Sequence, residues 1–280
     1  MTKKYGILAH PAKHSLSPAM FGAAFKEAGV EAEYRVFDIR ENELQKFMEK
    51  TVKHDPVSGL SVSLPYKEGV MGFLDVVDED AKRIGAVNTV VNKGGYLYGH
   101  NTDHLGAVAA LKAKCGSLKD KRVMVMGAGG AARAIIYGLL KAGAEVLIVN
   151  RNMNRAEELV AEFTEVFGPR LCACYFDDKK NVGEADILIQ ATSIWMLEPK
   201  LPEAEVNFFV PDEFVSKFEY VMDIVYQPLK TPLIEKAERL GKKVITGEKM
   251  LLHQAIEQYK LWFEGNAPVK VMREVLNKSL

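Results

Sequence analysis

Val123-Met124-Val125-Met126-Gly127-Ala128-Gly129-Gly130-Ala131-Ala132 is the stretch that decides the fold. Four apolar residues suited to a buried strand run directly into a glycine-rich turn and then into a helix-forming sequence. In that strand-to-helix setting the pattern G-x-G-x-x-A is a dinucleotide fingerprint. Gly127 permits the tight turn, Gly129 lets the backbone approach a pyrophosphate, and Ala132 lets the helix pack closely on the strand. Ala128, Gly130 and Ala131 complete a loop whose free N–H groups and helix dipole favour an anion. The bland alternative is a glycine-rich turn that binds nothing; the position of the motif, as well as its spacing, argues against it.

The next strand ends at Asn150-Arg151, with Arg155 one helical turn further on. Sites for NAD place a carboxylate at that tip to hold the ribose 2′-hydroxyl, and here there is none. Two guanidinium groups instead suit a 2′-phosphate, because a planar fork donates bidentately to phosphate oxygens. The sequence therefore favours NADP. Arg155 also reads as a solvated residue paired with Glu158.

Outward from the motif, strands at 123–126, 145–149, 187–190, 221–225 and 244–246 alternate with helices from about 131 and 155, the signature of a parallel sheet. Before it, strands at 4–9, 33–37 and 59–64, helices at 17–28 and 41–53, and a helical pattern running to about 80 lead to a hairpin, 86–91 and 96–98, around Asn92-Lys93-Gly94-Gly95. That combination predicts a mixed sheet. The fold class is α/β with two domains: an N-terminal α/β substrate domain over 1–105 and a C-terminal Rossmann-like NADP-binding domain over 106–248. Helices at 249–263 and 269–278 are expected to pack back on the substrate domain.

The 280 residues carry 48% hydrophobic and 26% charged side chains, enough for real cores and unlike a disordered chain. Lys+Arg and Asp+Glu both number 37, and a net charge of +0 argues against a nucleic-acid partner. No apolar run approaches the length of a membrane span, and the run from Tyr5 to Ala9 is too short for a signal-peptide core. Cys115, Cys172 and Cys174 are odd in number and fit a reducing compartment, so the expected location is cytoplasmic. His10/His14 and His100/His104 have metal-like spacing, but Pro11 breaks one pair and a helix start the other, so no metal is expected.

A nicotinamide enzyme needs a surface for its substrate and a group to move the proton. Polar residues at strand ends supply candidates: Ser15-Leu16-Ser17-Pro18, Ser61-Val62-Ser63-Leu64-Pro65-Tyr66-Lys67, Gly85-Ala86-Val87-Asn88-Thr89 and Asn101-Thr102-Asp103. With Gly127 to Ala131, Asn150 to Arg155, Val225-Tyr226-Gln227-Pro228 and Gly247 to Gln254, these motifs resemble, in order and spacing, those of the shikimate dehydrogenase family. The resemblance implies NADPH-dependent reduction of 3-dehydroshikimate to shikimate, with Lys67 and Asp103 as the catalytic pair. It implies that Ser15, Ser17, Ser63, Asn88, Tyr226 and Gln254 bind the substrate, that Glu79, Ile224 and Gly247 lie near the cofactor, and that the active site lies between the domains. A monomer or homodimer is expected.

The chemistry has its own logic, since reducing a ketone leaves an oxyanion that an ammonium stabilises and protonates while a carboxylate orients it. From the residues alone, Lys67 reads equally as a surface lysine beside Glu68, Asp103 as a helix cap, and Ser17 as an N-cap. Three positions depart from the family pattern. Ser61 and Ser63 replace Asn and Thr, where a preference for quinate or an amino analogue would be read. Trp195 replaces a glycine, which is expected to put a ring beside the nicotinamide half, and Asn152 replaces Thr. A non-catalytic ligand-binding protein is the remaining alternative.

Overall fold

In the computed structural model, which describes residues 2–13, 15–52, 57–181, 183–197 and 201–280, the chain divides into two compact units. One comprises Met1–Asp103 and Gln254–Ser279, the other His104–His253.

The first unit contains β1 (Lys3–Ala9), α1 (Ser17–Glu27), β2 (Ala32–Asp38), α2 (Leu44–Lys46), β3 (Val57–Val62), β4 (Val76–Val77), α3 (Glu79–Ile84), β5 (Thr89–Lys93) and β6 (Tyr96–His100). Its sheet has the order β2-β1-β3-β5-β6-β4. β5 runs antiparallel to β3 and β6 and the other pairings are parallel, which makes the sheet mixed. The β5–β6 hairpin turns on Gly94 and Gly95, both at positive φ (64° and 93°), as a two-residue turn of this hand requires.

Strand alternation sends side chains to two faces of this sheet. Leu8, Leu60, Val62, Val90 and Leu97 pack on one side with Met48 and Val52. On the other, Tyr5 meets Phe25, Trp262 and Phe263 with ring centroids 5.4, 5.0 and 5.1 Å away. Those last two rings come from α11 (Gly247–Phe263), which with α12 (Val269–Ser279) closes the chain. Gly59 makes room for this helix: a Cβ there would lie 2.5 Å from Trp262 Nε1, which donates to the Val90 carbonyl at 3.0 Å.

After α4 (Asp103–Cys115) the second unit follows as β7 (Arg122–Met126), α5 (Gly130–Lys141), β8 (Glu145–Asn150), α6 (Met153–Phe167), β9 (Leu171–Tyr175), β10 (Ile187–Gln190), α7 (Ile194–Leu197), α8 (Glu203–Phe209), α9 (Asp212–Val215), β11 (Tyr220–Asp223), α10 (Pro232–Arg239) and β12 (Lys243–Ile245). Its six strands are all parallel in the order β12-β11-β10-β7-β8-β9. Central strands such as β10 and β11 are buried throughout, as strands covered on both faces must be. Strand order reverses between β7 and β10, so a crevice for ligands opens at their carboxyl ends.

Two expectations need correction, and several elements were not anticipated. The helix expected over 41–53 is a 3-10 turn (Glu41–Glu43), the short α2 and a π-type turn (Phe47–Val52), and Lys53 lies outside the described residues. Leu44, Met48 and Val52, all buried, recur every fourth residue, and wider winding keeps that period on one face. The helical pattern to about 80 breaks into a 3-10 turn (Gly69–Phe73), β4 and α3. Asp75 accepts from Leu97 N at 2.8 Å and docks the chain on the sheet edge, and Asp78 then caps α3 through Ala81 N at 2.7 Å. Finally, β9, α8, α9 and α10 carried no expectation, although Thr231 caps α10 and Pro232 follows it.

Candidate active site

Lys67 follows the strand exit of β3, and Asp103 opens α4. Lys67 Nζ donates to Asp103 Oδ2 at 2.6 Å, with the side chains only 14% and 6% exposed. Neither of the bland readings survives: the lysine is not a surface residue, and the carboxylate is spent on side chains. Its other oxygen accepts from Asn88 Nδ2 at 2.9 Å. Asn88, 1% exposed, is the hub of the cluster. Its Nδ2 also donates to Thr102 Oγ1 at 2.9 Å and Gln254 Oε1 at 3.3 Å, while its Oδ1 accepts from Thr102 N at 2.7 Å.

A buried ammonium is tolerable only when paired and hydrogen-bonded, and this network supplies both. It leaves Lys67, the most exposed member of the pair, able to offer protons outward. An ammonium held this way stabilises an oxyanion and delivers a proton to it.

Other residues of the first unit fall around or away from this cluster. Ser15 Oγ accepts from Ser17 N at 3.3 Å; the residue in the N-cap position of α1 is Leu16, so the N-cap reading of Ser17 fails and its side chain is simply buried. Ser63 is half-buried, and its main chain bonds to Leu8 and Tyr66. Ser61 is committed on both sides: Tyr34 Oη donates to its Oγ at 2.7 Å, and that hydroxyl donates to Gln258 Oε1 at 2.7 Å. Glu79 is largely exposed at the start of α3 and pairs with Arg83 at 2.9 Å. Sequence reasoning quoted Thr102 within its motif without giving it a role, and it overlooked Gln258. The latter stands one helical turn after Gln254, on the same face of α11, and that spacing was the available signal.

In the second unit the β7–α5 loop has the features of a pyrophosphate cradle. Gly127 has φ of 120°, and a Cβ on it would press on the Ala191 carbonyl at 3.1 Å. A Cβ on Gly129 would meet nothing within 4 Å, so no protein group requires glycine there and the space is left for a ligand. Gly129 is also the N-cap of α5 and offers no side-chain acceptor, so the first N–H groups of Gly130 and Ala131 are not capped by it. The loop therefore fits a dinucleotide.

At the β8 tip, Asn150 Nδ2 donates to the Asn152 carbonyl at 2.7 Å, and Asn152 Oδ1 caps α6 by accepting from Arg155 N at 3.3 Å. The replacement of Thr by Asn thus keeps a capping oxygen. Arg151 and Arg155 are both exposed on this tip. Gly247 is required by packing: a Cβ there would lie 2.4 Å from the Ile224 carbonyl and 2.5 Å from that of Val225. Tyr226 follows in the same loop, and burial pushes its phenol pKa up.

Beneath that loop lies a polar knot that carried no expectation. Asp223, fully buried at the end of β11, accepts from Val225 N at 3.0 Å, Thr231 Oγ1 at 2.7 Å and Gln190 Nε2 at 3.3 Å. Gln190 in turn accepts from Thr192 N at 2.5 Å. Desolvation pushes the Asp223 carboxyl up to about 7. Trp195 overturns its expectation: the ring is fully buried among Leu188, Val210, Phe214 and Val215, in the core beneath the sheet. Burial removes the large apolar face of the indole from water, although its Nε1–H finds no partner in the core among the described residues.

His14 lies outside the described residues. His100 Nδ1 pairs with Asp78 at 2.6 Å, His104 packs edge-on against Tyr137, and among the described residues no group of three or more His, Cys, Asp or Glu side chains is placed to hold a metal.

Comparison with known proteins agrees with this geometry. Three family models match in succession: the shikimate dehydrogenase substrate binding domain over residues 7–90, shikimate/quinate 5-dehydrogenase over 109–224, and the shikimate 5′-dehydrogenase C-terminal domain over 247–276. The shikimate dehydrogenase (NADP(+)) of Thermococcus kodakarensis is 42% identical, covering 93% of this chain and 91% of its own. A solved shikimate dehydrogenase in complex with NADP+ superposes with a TM-score of 0.90 at 34% identity, over 99% of this chain and 95% of the other. The Thermus thermophilus enzyme in complex with NADP(H) and shikimate gives 0.84 at 34% identity, over 99% and 100%. A 5-ketofructose reductase of Gluconobacter also matches, at 0.82 and 31% identity over 100% and 99%, so the substrate must be argued from side chains and not from the fold. On the full-length likeness at 42% identity, the chain belongs to the shikimate dehydrogenase family.

Proposed function

We propose that the protein is an NADP-dependent oxidoreductase that interconverts 3-dehydroshikimate and shikimate. The observation that carries the reading is the buried Lys67–Asp103 pair, 2.6 Å apart and braced by Asn88, in a chain with a dinucleotide loop. Bound NADPH supplies the hydride. Lys67 stabilises the oxyanion that forms at the ketone and gives it a proton, so that one hydride and one proton yield the alcohol; in the reverse direction Lys67 takes the proton. Asp103 holds the ammonium in place, and Asn88 holds Asp103. Ser15, Ser17, Ser63, Asn88, Tyr226 and Gln254 bind the hydroxyls and carboxylate of the substrate.

Gly127 to Ala131 hold the pyrophosphate, Asn150, Arg151 and Arg155 the adenosine end with its 2′-phosphate, and Ile224, Gly247 and Glu79 lie near the cofactor. The domain roles follow, with residues 1–105 and 249–280 for substrate and 106–248 for NADP. We place the protein in the cytoplasm as a monomer or homodimer with no nucleic-acid partner. A net charge of +0 and three free thiols support this, and no helix among the described residues is long and apolar enough to cross a membrane.

The test is turnover by purified protein, followed through NADPH absorbance, with shikimate, quinate and 5-ketofructose each paired with the NADP and NAD couples. Preferred turnover of shikimate with NADP is expected. Quinate turnover without shikimate turnover would replace the substrate, and ligand binding without any turnover would leave a binding protein.

A further inference from the structure

Three side chains, one each from β2, β3 and α11, lead to the main chain of Asn88. Tyr34 Oη donates to Ser61 Oγ, Ser61 Oγ donates to Gln258 Oε1, both at 2.7 Å, and Gln258 Nε2 donates to the Asn88 carbonyl at 3.0 Å. Ser61 and Gln258 are 5% and 2% exposed, so water does not substitute for these bonds. The direction of the chain is forced. A main-chain carbonyl only accepts, so the amide must present Nε2 to Asn88 and Oε1 to Ser61; the one hydroxyl hydrogen of Ser61 then goes to Oε1, and Tyr34 must donate to Ser61. The Asn88 carbonyl also accepts from Val62 N at 2.7 Å, which fills both of its lone pairs.

We propose that Gln258 is a positioning residue for the reaction, oriented by Ser61 and acting through Asn88 on the Lys67–Asp103 pair. Asn88 is clamped from two sides. Its carbonyl is fixed by β3 and by α11, and its side chain then reaches Asp103 Oδ1 at 2.9 Å and Gln254 at 3.3 Å. One side-chain amide thus sets where the carboxylate stands and, through it, where Lys67 Nζ points. This also explains the serine at position 61. A hydroxyl there is short enough to leave room for Gln258 and still able to pass a proton bond to it, whereas the longer amide of the family pattern would occupy the same buried space.

The inference rests on the proposed roles of Lys67 and Asp103, and the experiment separates the two. Gln258→Met keeps the length of the side chain and removes the donor. Gln258→Glu keeps its shape and places a carboxylate against the Asn88 carbonyl, and it carries the test if Gln258→Met does not fold. The expected result is a kcat for shikimate oxidation lowered about tenfold in Gln258→Met and further in Gln258→Glu, since a small misplacement of a catalytic group costs that much. KM for NADP should stay within about twofold. In an Asn88→Ala background, which keeps the carbonyl but cuts the link to Asp103, Gln258→Met should bring little further loss of kcat. Unchanged kcat in the single variants, a matching rise in KM for NADP, or a full Gln258 effect persisting in Asn88→Ala would overturn the proposal. A wild type that fails to oxidise shikimate would instead sink the reading of the reaction. The Asn88 side-chain NH2 resonances of the ligand-free protein would then decide this inference alone: a shift on Gln258→Met supports it, and none overturns it.

Discussion

Lys67 donates to Asp103, which Asn88 braces in turn, and under the proposed reaction the loss of this ammonium costs chemistry more than binding. Lys67→Met should lower kcat by about two orders of magnitude or more while shifting KM for shikimate far less, as steady-state kinetics would show. A variant with near-normal kcat would return Lys67 to a structural role. At the β8 tip, Arg151→Ala should raise KM for NADP by about tenfold to a hundredfold, the loss of a charge-assisted phosphate bond of about 1.5 to 3 kcal/mol, and leave KM for NAD nearly unchanged. Equal effects on both cofactors would refute a 2′-phosphate contact. At this scale the sequence was legible where spacing encodes chemistry, as in Gly127 to Ala132. It was ambiguous where a side chain's partner is distant: Lys67 and Asp103 are 36 residues apart, and nothing local shows that they touch. Trp195 misled for the same reason, because a motif position states where the backbone runs and not which way the ring turns.

Among the elements, β10 and β11 end on the Gln190–Asp223 knot that ties both following loops, and a buried carboxyl there couples stability to pH. The Asp223 pKa is raised on folding, so the folded chain binds the proton more tightly than the unfolded one. The resulting stabilisation is complete below about pH 4 and is lost as pH rises through about 7. Urea unfolding should therefore show the wild type gaining on Asp223→Asn by about 2 to 3 kcal/mol between pH 8 and pH 5. A difference that is flat across this range would mean that the carboxyl titrates normally. Trp195→Ala, on α7, should cost about 3 to 5 kcal/mol of stability by opening a cavity, with little change in KM for NADP. The central parallel strands could be read because both their faces are apolar. The π-type turn and the broken segment before α3 could not, because in each a tertiary demand overrides local helical preference: one face shared every fourth residue, and one aspartate captured by a neighbouring strand.

For the whole molecule, the decisive fact is that the first unit is discontinuous in sequence. Trp262 and Phe263 pack their rings at a tilt against Tyr5, and Gln254 and Gln258 reach Asn88, yet all four lie beyond the second unit in chain order. Truncation after His253 removes both rings, each worth about 3 to 5 kcal/mol when buried, against a total stability of about 5 to 15 kcal/mol for a typical protein. The truncated chain should lose protection from amide exchange across residues 3–103 and keep it in the parallel sheet. Retained protection in β1 and β3 would show that the first unit stands without its last helices. The sequence analysis expected the closing helices to return to the first domain, although no local pattern in α11 names the surface it covers.

That return of the chain also sets an order of events at the ribosome. Tyr5, Phe21 and Gly59 are made early, but the tryptophan that fills the notch over Gly59 follows about 160 residues after β6, which at about 5 to 20 residues per second is roughly 8 to 30 seconds later. For that interval the nascent chain carries an uncovered aromatic face while the parallel sheet downstream is completed. A chaperone that binds exposed rings has its window there, and it closes when residue 262 leaves the exit tunnel.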